Sequence, residues 1–292
     1  MQIPTIRFRG DPLAASVSAA LLAGLGLLPA AGYAQAPAAA AAPVALPRLA
    51  DGHPDLSGIW ENGAGIEFVR PQQRGESVCV SGCGPAPNAA PPPPRPAAQA
   101  AAPPPPPQTR PQYKPELQAK VADLTKRQVE EDPVLRCEPP GIPRIGPPDK
   151  IVQRVGEAVF LYDDVSGGFH RIVPTDGRAH RTDVEPGFFG DAVGHWEGDT
   201  LVVESKSFND KTWLTDDGAF HSTDLRVVER LKRTGDMLEW SATVYDPKVL
   251  TEPWEVRPRI AHATNVDLVE PAPCVDQDLD HIVDGSHHPN PR

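Results

Sequence analysis

The chain has 292 residues, 37 of them proline, and a formal net charge of −11 at pH 7. An acidic surface of this size repels phosphate groups, so we expect no nucleic acid as a partner and no docking on anionic lipid. Outside its Ala/Pro-rich stretches the chain has one region long enough to bury a core. We therefore expect a single folded domain.

The N-terminal segment, residues 1–34, has the pattern of a secretory signal peptide. Arg7 and Arg9 provide a basic start, and an uncharged apolar stretch of small residues follows. Cleavage sites of the small-x-small type end at Ala34 and at Ala36. Because Arg7 and Arg9 are not adjacent, we expect a Sec-type signal. The protein is then periplasmic or extracellular, with no membrane insertion after cleavage.

Four cysteines suit an oxidising compartment: Cys79, Cys83, Cys137 and Cys274. They allow three pairings. Cys79 and Cys83 share one short glycine-rich loop, whereas Cys137 and Cys274 bracket the folded part. We favour disulfides 79–83 and 137–274. The alternative is a metal site, but this spacing matches zinc sites poorly, so we expect no metal and no cofactor.

Composition divides the chain into six parts. They are a signal peptide (1–34), a disordered Ala/Pro-rich linker (35–48), a first strand segment (49–62), a Pro/Ala-rich insertion (63–112), a helix with a barrel-like β domain (113–276) and a flexible tail (277–292). Runs of proline and alanine cannot build a core, which is why the insertion is expected to be disordered.

A helix is predicted to open at Pro115, since proline is favoured at a first helical position. Leu117, Val121 and Leu124 then fall on one stripe, as in an amphipathic helix. The helix is expected to end before Pro133.

From Lys150 onward the apolar period becomes two, which is typical of β-strands. Eight short strands are predicted, with hairpin turns at Gly156-Glu157, Gly198-Asp199 and Thr234-Gly235. Strands in series with short turns indicate an antiparallel meander. The predicted fold is mainly β, closing into a lipocalin-like barrel or a sandwich, with one or two short helices.

Glu229 is the most informative candidate for chemistry. Period two places it on one face with Leu225, Val227 and Leu231. If that face points inward, the carboxylate must be paired or protonated. It is then either a general acid or the buried partner of an arginine, and both interpretations stay open.

A second group of candidates lies in the segment FHRIVPTDGRAH. Arg171, Asp176 and Arg178 could clamp an anionic or hydroxylated ligand, with His180 as a catalytic acid or base. Plain turn chemistry with solvated charges explains the same residues.

A third group follows in DAVGHWEGD. His195 alternates with Val193, so we expect it to point inward as a further catalytic candidate. Trp196 beside it is a candidate ligand contact.

Six motifs, DGHPDLSGIWEN, RCEPPGIPR, TDGRAH, GHWEGDTLVVESKSFNDKTWL, VVERLKR and DPKVLTEPW, together resemble a large family of exported bacterial proteins. This resemblance implies architecture and export but no mechanism. Residues 55–60, DLSGIW, are similar to the opening G-x-W of lipocalin-like barrels, where the tryptophan closes the barrel floor.

Three functions remain open at this point. The first is a barrel that binds a small apolar or amphipathic molecule. The second is an acid–base enzyme, a hydrolase, hydratase or isomerase, and the third is a structural role in the envelope. Fold alone cannot choose among them. The discriminating observation is whether Glu229, His195, His180 and Arg178 converge on one pocket.

Overall fold

The computed structural model of the protein describes residues 46–62, 72–74, 77–79, 110–164, 166–271 and 274, with 72–74 and 77–79 described by their backbone alone. The predicted signal peptide, the tail, most of the linker and most of the insertion lie outside these residues. The predicted Cys79–Cys83 disulfide lies outside them as well.

Within the described residues the chain is mainly β. The strands are β1 (Gly58–Glu61), β2 (Gln72–Arg74), β3 (Ser77–Cys79), β4 (Lys150–Arg154), β5 (Glu157–Asp164), β6 (Gly167–Pro174), β7 (Asp191–Glu197), β8 (Thr200–Lys206), β9 (Arg226–Thr234), β10 (Met237–Tyr245) and β11 (Trp254–Thr264). All eight strands predicted from the period of two are present, with turns at the three predicted hairpins.

Nine of these strands form one antiparallel sheet in the order β6-β5-β4-β1-β11-β10-β9-β8-β7, and β2 pairs with β3 separately. The edge strands β6 and β7 lie against each other. A Cβ placed on Gly194 of β7 would be 3.1 Å from Val173 Cγ1 of β6. The sheet is therefore a nearly closed barrel, which confirms the predicted fold class.

The helical segment precedes the barrel strands. It consists of a 3-10 turn (Pro115–Leu117), two helices (Gln118–Lys126 and Gln128–Glu131) and a second 3-10 turn (Pro133–Arg136). The prediction of one or two short helices before Pro133 is confirmed, and the two are separated at Arg127, where the backbone leaves the helical region (φ −110°, ψ 34°). Leu124 is buried against the core, with Leu117 and Val121 partly buried beside it. The predicted apolar stripe is correct.

Large side chains fill the inside of the barrel. Trp60, Trp240, Tyr162 and Phe160 are each at most 1% exposed. Burial of one such side chain contributes roughly 1.5–3 kcal/mol. The interior is thus a packed core, whereas the sequence had suggested a barrel that holds its ligand inside.

Strand β1 closes the sheet between β4 and β11. Its Trp60 donates a hydrogen bond from Nε1 to Leu56 O (3.1 Å). The Arg233 guanidinium carbon lies 5.2 Å from the Trp60 ring centroid, and its Nη1 donates to Asp55 O (2.8 Å). Since these contacts join the first strand to the end of β9, the segment before the insertion belongs to the barrel.

The loop between the helical segment and β4 is fastened on two sides. Cys137 forms a disulfide with Cys274 beyond β11, with a Cα–Cα distance of 5.7 Å, which confirms the predicted pairing. Arg144 donates two hydrogen bonds of 2.7 Å to the carboxylate of Asp132. The motif RCEPPGIPR (residues 136–144) is therefore held to the rest of the fold by a disulfide and an ion pair.

Gly141 in this loop packs directly on a buried hydroxyl–imidazole pair. Thr212 Oγ1 lies 2.7 Å from His221 Nε2, and His221 Nδ1 lies 2.9 Å from Ser222 O. Burial lowers the pKa of His221, so the ring is neutral at pH 7. Its Nδ1 hydrogen donates to the carbonyl, which leaves Nε2 to accept from Thr212.

Replacing Gly141 with alanine is expected to lower the free energy of unfolding by roughly 2–4 kcal/mol. Gly141 has φ +72°, and an added Cβ would lie 2.6 Å from Thr212 Oγ1. Urea denaturation measures the effect. The matched control is Gly177→Ala, where φ is +83° but nothing lies within 4 Å. There only the backbone cost of about 1–2 kcal/mol is expected. Equal losses in both variants would contradict the packing argument.

Candidate functional site

A polar network crosses the middle of the barrel core. Arg171 of β6 donates from Nη2 to Glu229 Oε2 of β9 (2.6 Å) and to Ser205 Oγ of β8 (3.0 Å). Its Nη1 donates to Tyr162 Oη of β5 (3.0 Å). Trp240 Nε1 of β10 donates to Glu229 Oε1 (3.1 Å). One guanidinium and one carboxylate thus connect five strands.

This network is closed to solvent. The side chains of Arg171 and Glu229 are 3% and 0% exposed. Burial alone would lower the pKa of Arg171, but Glu229 and Tyr162 together outweigh burial and raise it, so the guanidinium stays charged. Arg171 Nε, alone among the buried side-chain nitrogens and oxygens of the described residues, has no hydrogen-bond partner.

The inward register predicted for Glu229 is confirmed, and its environment matches the second interpretation, a buried partner for an arginine. Arg171, a predicted ligand contact, is that arginine. A catalytic role for Glu229 stays a prediction without support from this geometry, because no solute reaches its carboxylate from the surface.

His180 lies between two carboxylates at the rim of the barrel. Its Nδ1 is 2.9 Å from Asp191 Oδ2, and its Nε2 is 3.3 Å from Glu204 Oε1. Burial would raise the pKa of Asp191, but hydrogen bonds from Arg181 and His180 outweigh it and lower the pKa. The acid is therefore ionised at neutral pH and holds the imidazole in place.

Asp176 and Arg178 pair with each other on the turn after β6. Arg178 Nη2 donates to Asp176 Oδ2 (2.6 Å), and both side chains are largely exposed. The hydrogen bond from Arg178 lowers the pKa of Asp176 to about 2. This arrangement matches the turn interpretation of TDGRAH.

His195 points away from the barrel interior, so the inward expectation was wrong. The small residues Ala192 and Gly194 occupy the inward positions of β7, where β6 approaches closely. His195 is 60% exposed and its Nε2 is 3.3 Å from Glu197 Oε1. Trp196 instead packs against the core and stacks on His53, with ring centroids 4.8 Å apart.

The four residues whose convergence would discriminate among the functions do not form one site. Glu229 is inside the core. His180 contacts Asp191 at the start of β7, whereas His195 lies near the end of β7 and contacts Glu197. Arg178 is on an exposed turn. In a strand that rises about 3.3 Å per residue, Asp191 and His195 are about 13 Å apart. The four residues therefore lie in four separate places, each with its own partner: Glu229 with Arg171, His180 with Asp191, His195 with Glu197 and Arg178 with Asp176.

A pocket of about 820 Å³ lies at the end of the barrel where β8 and β10 end and β9 and β11 begin. Its apolar lining includes Tyr245, Leu250 and Pro253, and its cations are Lys114, Lys206 and Arg226. None of the seven predicted catalytic and ligand-binding residues lines this pocket.

Sequence reasoning missed this pocket because its walls come from four distant segments. Lys206 ends β8, Arg226 begins β9 and Tyr245 ends β10, while Lys114 precedes the helical segment. Lys114 is held there by a hydrogen bond from Nζ to Pro247 O (2.7 Å). A local pattern could mark these residues as strand ends, but only the sheet order brings them together.

Among the described residues, no group of three or more His, Cys, Asp and Glu side chains is arranged to hold a metal ion. The helices described here are all too short to cross a membrane.

Comparison with known proteins adds no assignment. The chain matches no model of a known protein family, and a search of the curated proteins finds no similar sequence.

Proposed function

We propose that the protein binds a small amphipathic molecule in the pocket at the end of the barrel. The observation that carries this proposal is the pocket itself. Its volume, about 820 Å³, falls in the range of 300–1,000 Å³ typical of small-ligand sites. Apolar side chains such as Tyr245, Leu250 and Pro253 share its lining with charged ones. Such a lining suits a molecule with an apolar body and one polar end.

Two features favour binding over acid–base catalysis. The barrel interior is occupied by packed side chains and the Arg171–Glu229 pair, whereas the pocket at the end of the barrel offers space for a ligand. The predicted acid–base residues lie elsewhere, in environments that they do not share. The residues predicted to act as acid or base do not line the pocket, which favours a binding protein.

We also propose that the protein is exported and works in the periplasm or outside the cell, as do the bacterial proteins that its motifs resemble. The Cys137–Cys274 disulfide supports this proposal, since disulfides persist in oxidising compartments. Detection of the processed chain in a periplasmic extract, starting near residue 35 or 37, tests it. Full-length chain recovered only from the cytoplasm would contradict it.

Filling the pocket tests the binding proposal. Thr223 lines the pocket and is exposed, so Thr223→Trp adds bulk there without changing charge. We expect this variant to weaken binding of the neutral fluorescent probe N-phenyl-1-naphthylamine at least about tenfold, because a blocked pocket loses most of its apolar contact area.

The matched control is Thr234→Trp. Thr234 is also exposed and lies at the opposite end of β9. This variant should bind the probe as the wild type does. Mass spectrometry of molecules that co-purify with both variants then identifies natural ligands, which the Thr223→Trp protein should lack. Equal probe binding by all three proteins would refute the pocket as the site.

A further inference from the structure

We propose that the pocket recognises a single anionic group on its ligand, seated on Lys206 and Arg226, which we call the cation wall. This inference rests on the proposed binding function and names the ligand class: a small amphipathic carboxylate, sulfonate or similar monoanion. The apolar body of such a ligand would lie against Tyr245 and the loop before β11.

The charge balance of the cation wall leaves room for one anion. Arg226 Nη1 donates to Glu204 Oε2 (3.0 Å), and Lys206 Nζ lies 2.5 Å from Glu204 Oε1. The same Oε1 is also 3.3 Å from His180 Nε2. One carboxylate is therefore paired with two cations, so Lys206, Arg226 and Glu204 together carry a net charge of +1.

Glu204 is ionised in this arrangement. Burial would raise the pKa of this carboxyl, but the hydrogen bonds from Lys206 and Arg226 outweigh burial and lower it. At neutral pH the cation wall and Glu204 are thus a set of two cations and one anion.

Arg226 is held in an orientation that suits anion binding. Its guanidinium carbon lies 3.7 Å from the centroid of the Tyr245 ring, so the group stacks on an aromatic face. A stacked guanidinium keeps its N–H donors in the plane of the group, where a carboxylate or sulfonate oxygen can accept them. The side chain is 33% exposed and reaches the pocket lining.

The acids of the pocket are mostly engaged with partners of their own. Lys248 Nζ donates to Asp224 (2.8 Å), and the buried Asp246 accepts from Ser222 N (2.6 Å) and Ser222 Oγ (2.8 Å). The remaining acid, Glu252, is exposed on the loop before β11, where water and salt screen its charge. Because Asp224 is paired with Lys248 and Asp246 with Ser222, Lys206 and Arg226 are the groups of the pocket that suit an anion.

Two probes with the same ring system test this inference: 8-anilinonaphthalene-1-sulfonate, which carries one negative charge, and the neutral N-phenyl-1-naphthylamine. We expect Lys206→Gln to raise the Kd of the sulfonate about three- to tenfold and to leave the Kd of the neutral probe within about twofold. Glu204→Gln removes the competing carboxylate, so it should lower the Kd of the sulfonate about threefold.

The control is Lys232→Gln, an exposed lysine near the far end of β9, paired with Thr200. It should leave both affinities unchanged. If Lys206→Gln and Glu204→Gln shift neither probe, or shift both alike, the anionic ligand class is overturned while the pocket stands. A different result would contradict the pocket as the binding site: the neutral probe would then bind Thr223→Trp as tightly as it binds the wild type. Circular dichroism of each variant ensures that lost binding is not lost folding.

Discussion

Replacement of Glu229 with glutamine is expected to lower the free energy of unfolding by about 3–5 kcal/mol. Glutamine keeps the shape of the side chain but removes its charge. Arg171, 3% exposed, then holds a buried charge without its carboxylate partner. Because an uncompensated buried charge costs far more than the intact pair contributes, the loss should be large. Urea denaturation followed by tryptophan fluorescence measures it.

Two further variants make this prediction specific. Glu197→Gln breaks an exposed pair with Arg230, 2.7 Å long, and should cost at most about 1 kcal/mol. The double variant Arg171→Met with Glu229→Gln removes both buried charges and should recover much of the stability that the single variant loses. If the double variant were less stable than Glu229→Gln alone, the ion pair would not be the source of the effect.

The same measurement bears on function. A general acid at Glu229 would leave stability unchanged or raised on conversion to glutamine, since functional groups in apolar sites are often destabilising. A loss of several kcal/mol combined with unaltered probe binding would assign Glu229 to the core. We expect this result because the pocket lining does not include Glu229.

The period of two predicted the strands and their faces because alternation is a local property of the chain. Leu225, Val227 and Leu231 lie on one side of an extended backbone whatever the strand pairs with, and so Glu229 could be placed inside. His195 shows where this reasoning fails. A strand with small residues such as Gly194 at its inward positions has too weak an apolar alternation to fix its register.

Sheet order and the pocket depend on contacts between distant segments. β1 lies between β4 and β11, although about 90 residues separate it from β4 in the chain. No local pattern specifies this pairing. The cation wall is likewise formed by Lys206 and Arg226, which only the pairing of β8 with β9 brings to the same end of the barrel. The local sequence pattern therefore indicates the histidines as candidates and not these strand ends.

Loss of the Cys137–Cys274 disulfide is expected to have the largest effect on stability. The bond closes a loop with a sequence separation of 137 residues, which contains β4 to β11. In the chain-entropy model, freeing a loop of this length stabilises the unfolded chain by about 5 kcal/mol. The variant Cys137→Ala with Cys274→Ala should therefore unfold at a much lower urea concentration than the oxidised wild type.

Measurements with a reducing agent distinguish the effect of this bond from that of any other disulfide in the chain. Reduction of the wild type should lower its stability towards that of the double alanine variant, whereas reduction of the variant reports only what the remaining cysteines contribute. We expect the oxidised wild type to be much more stable than the variant because of the position of the bond. It ties the loop that packs Gly141 on Thr212 to the residue that lies ten positions beyond the end of β11. The bond thus ties the loop before β4 to the segment after β11. A double variant as stable as the oxidised protein would mean that packing of this loop suffices without the covalent link.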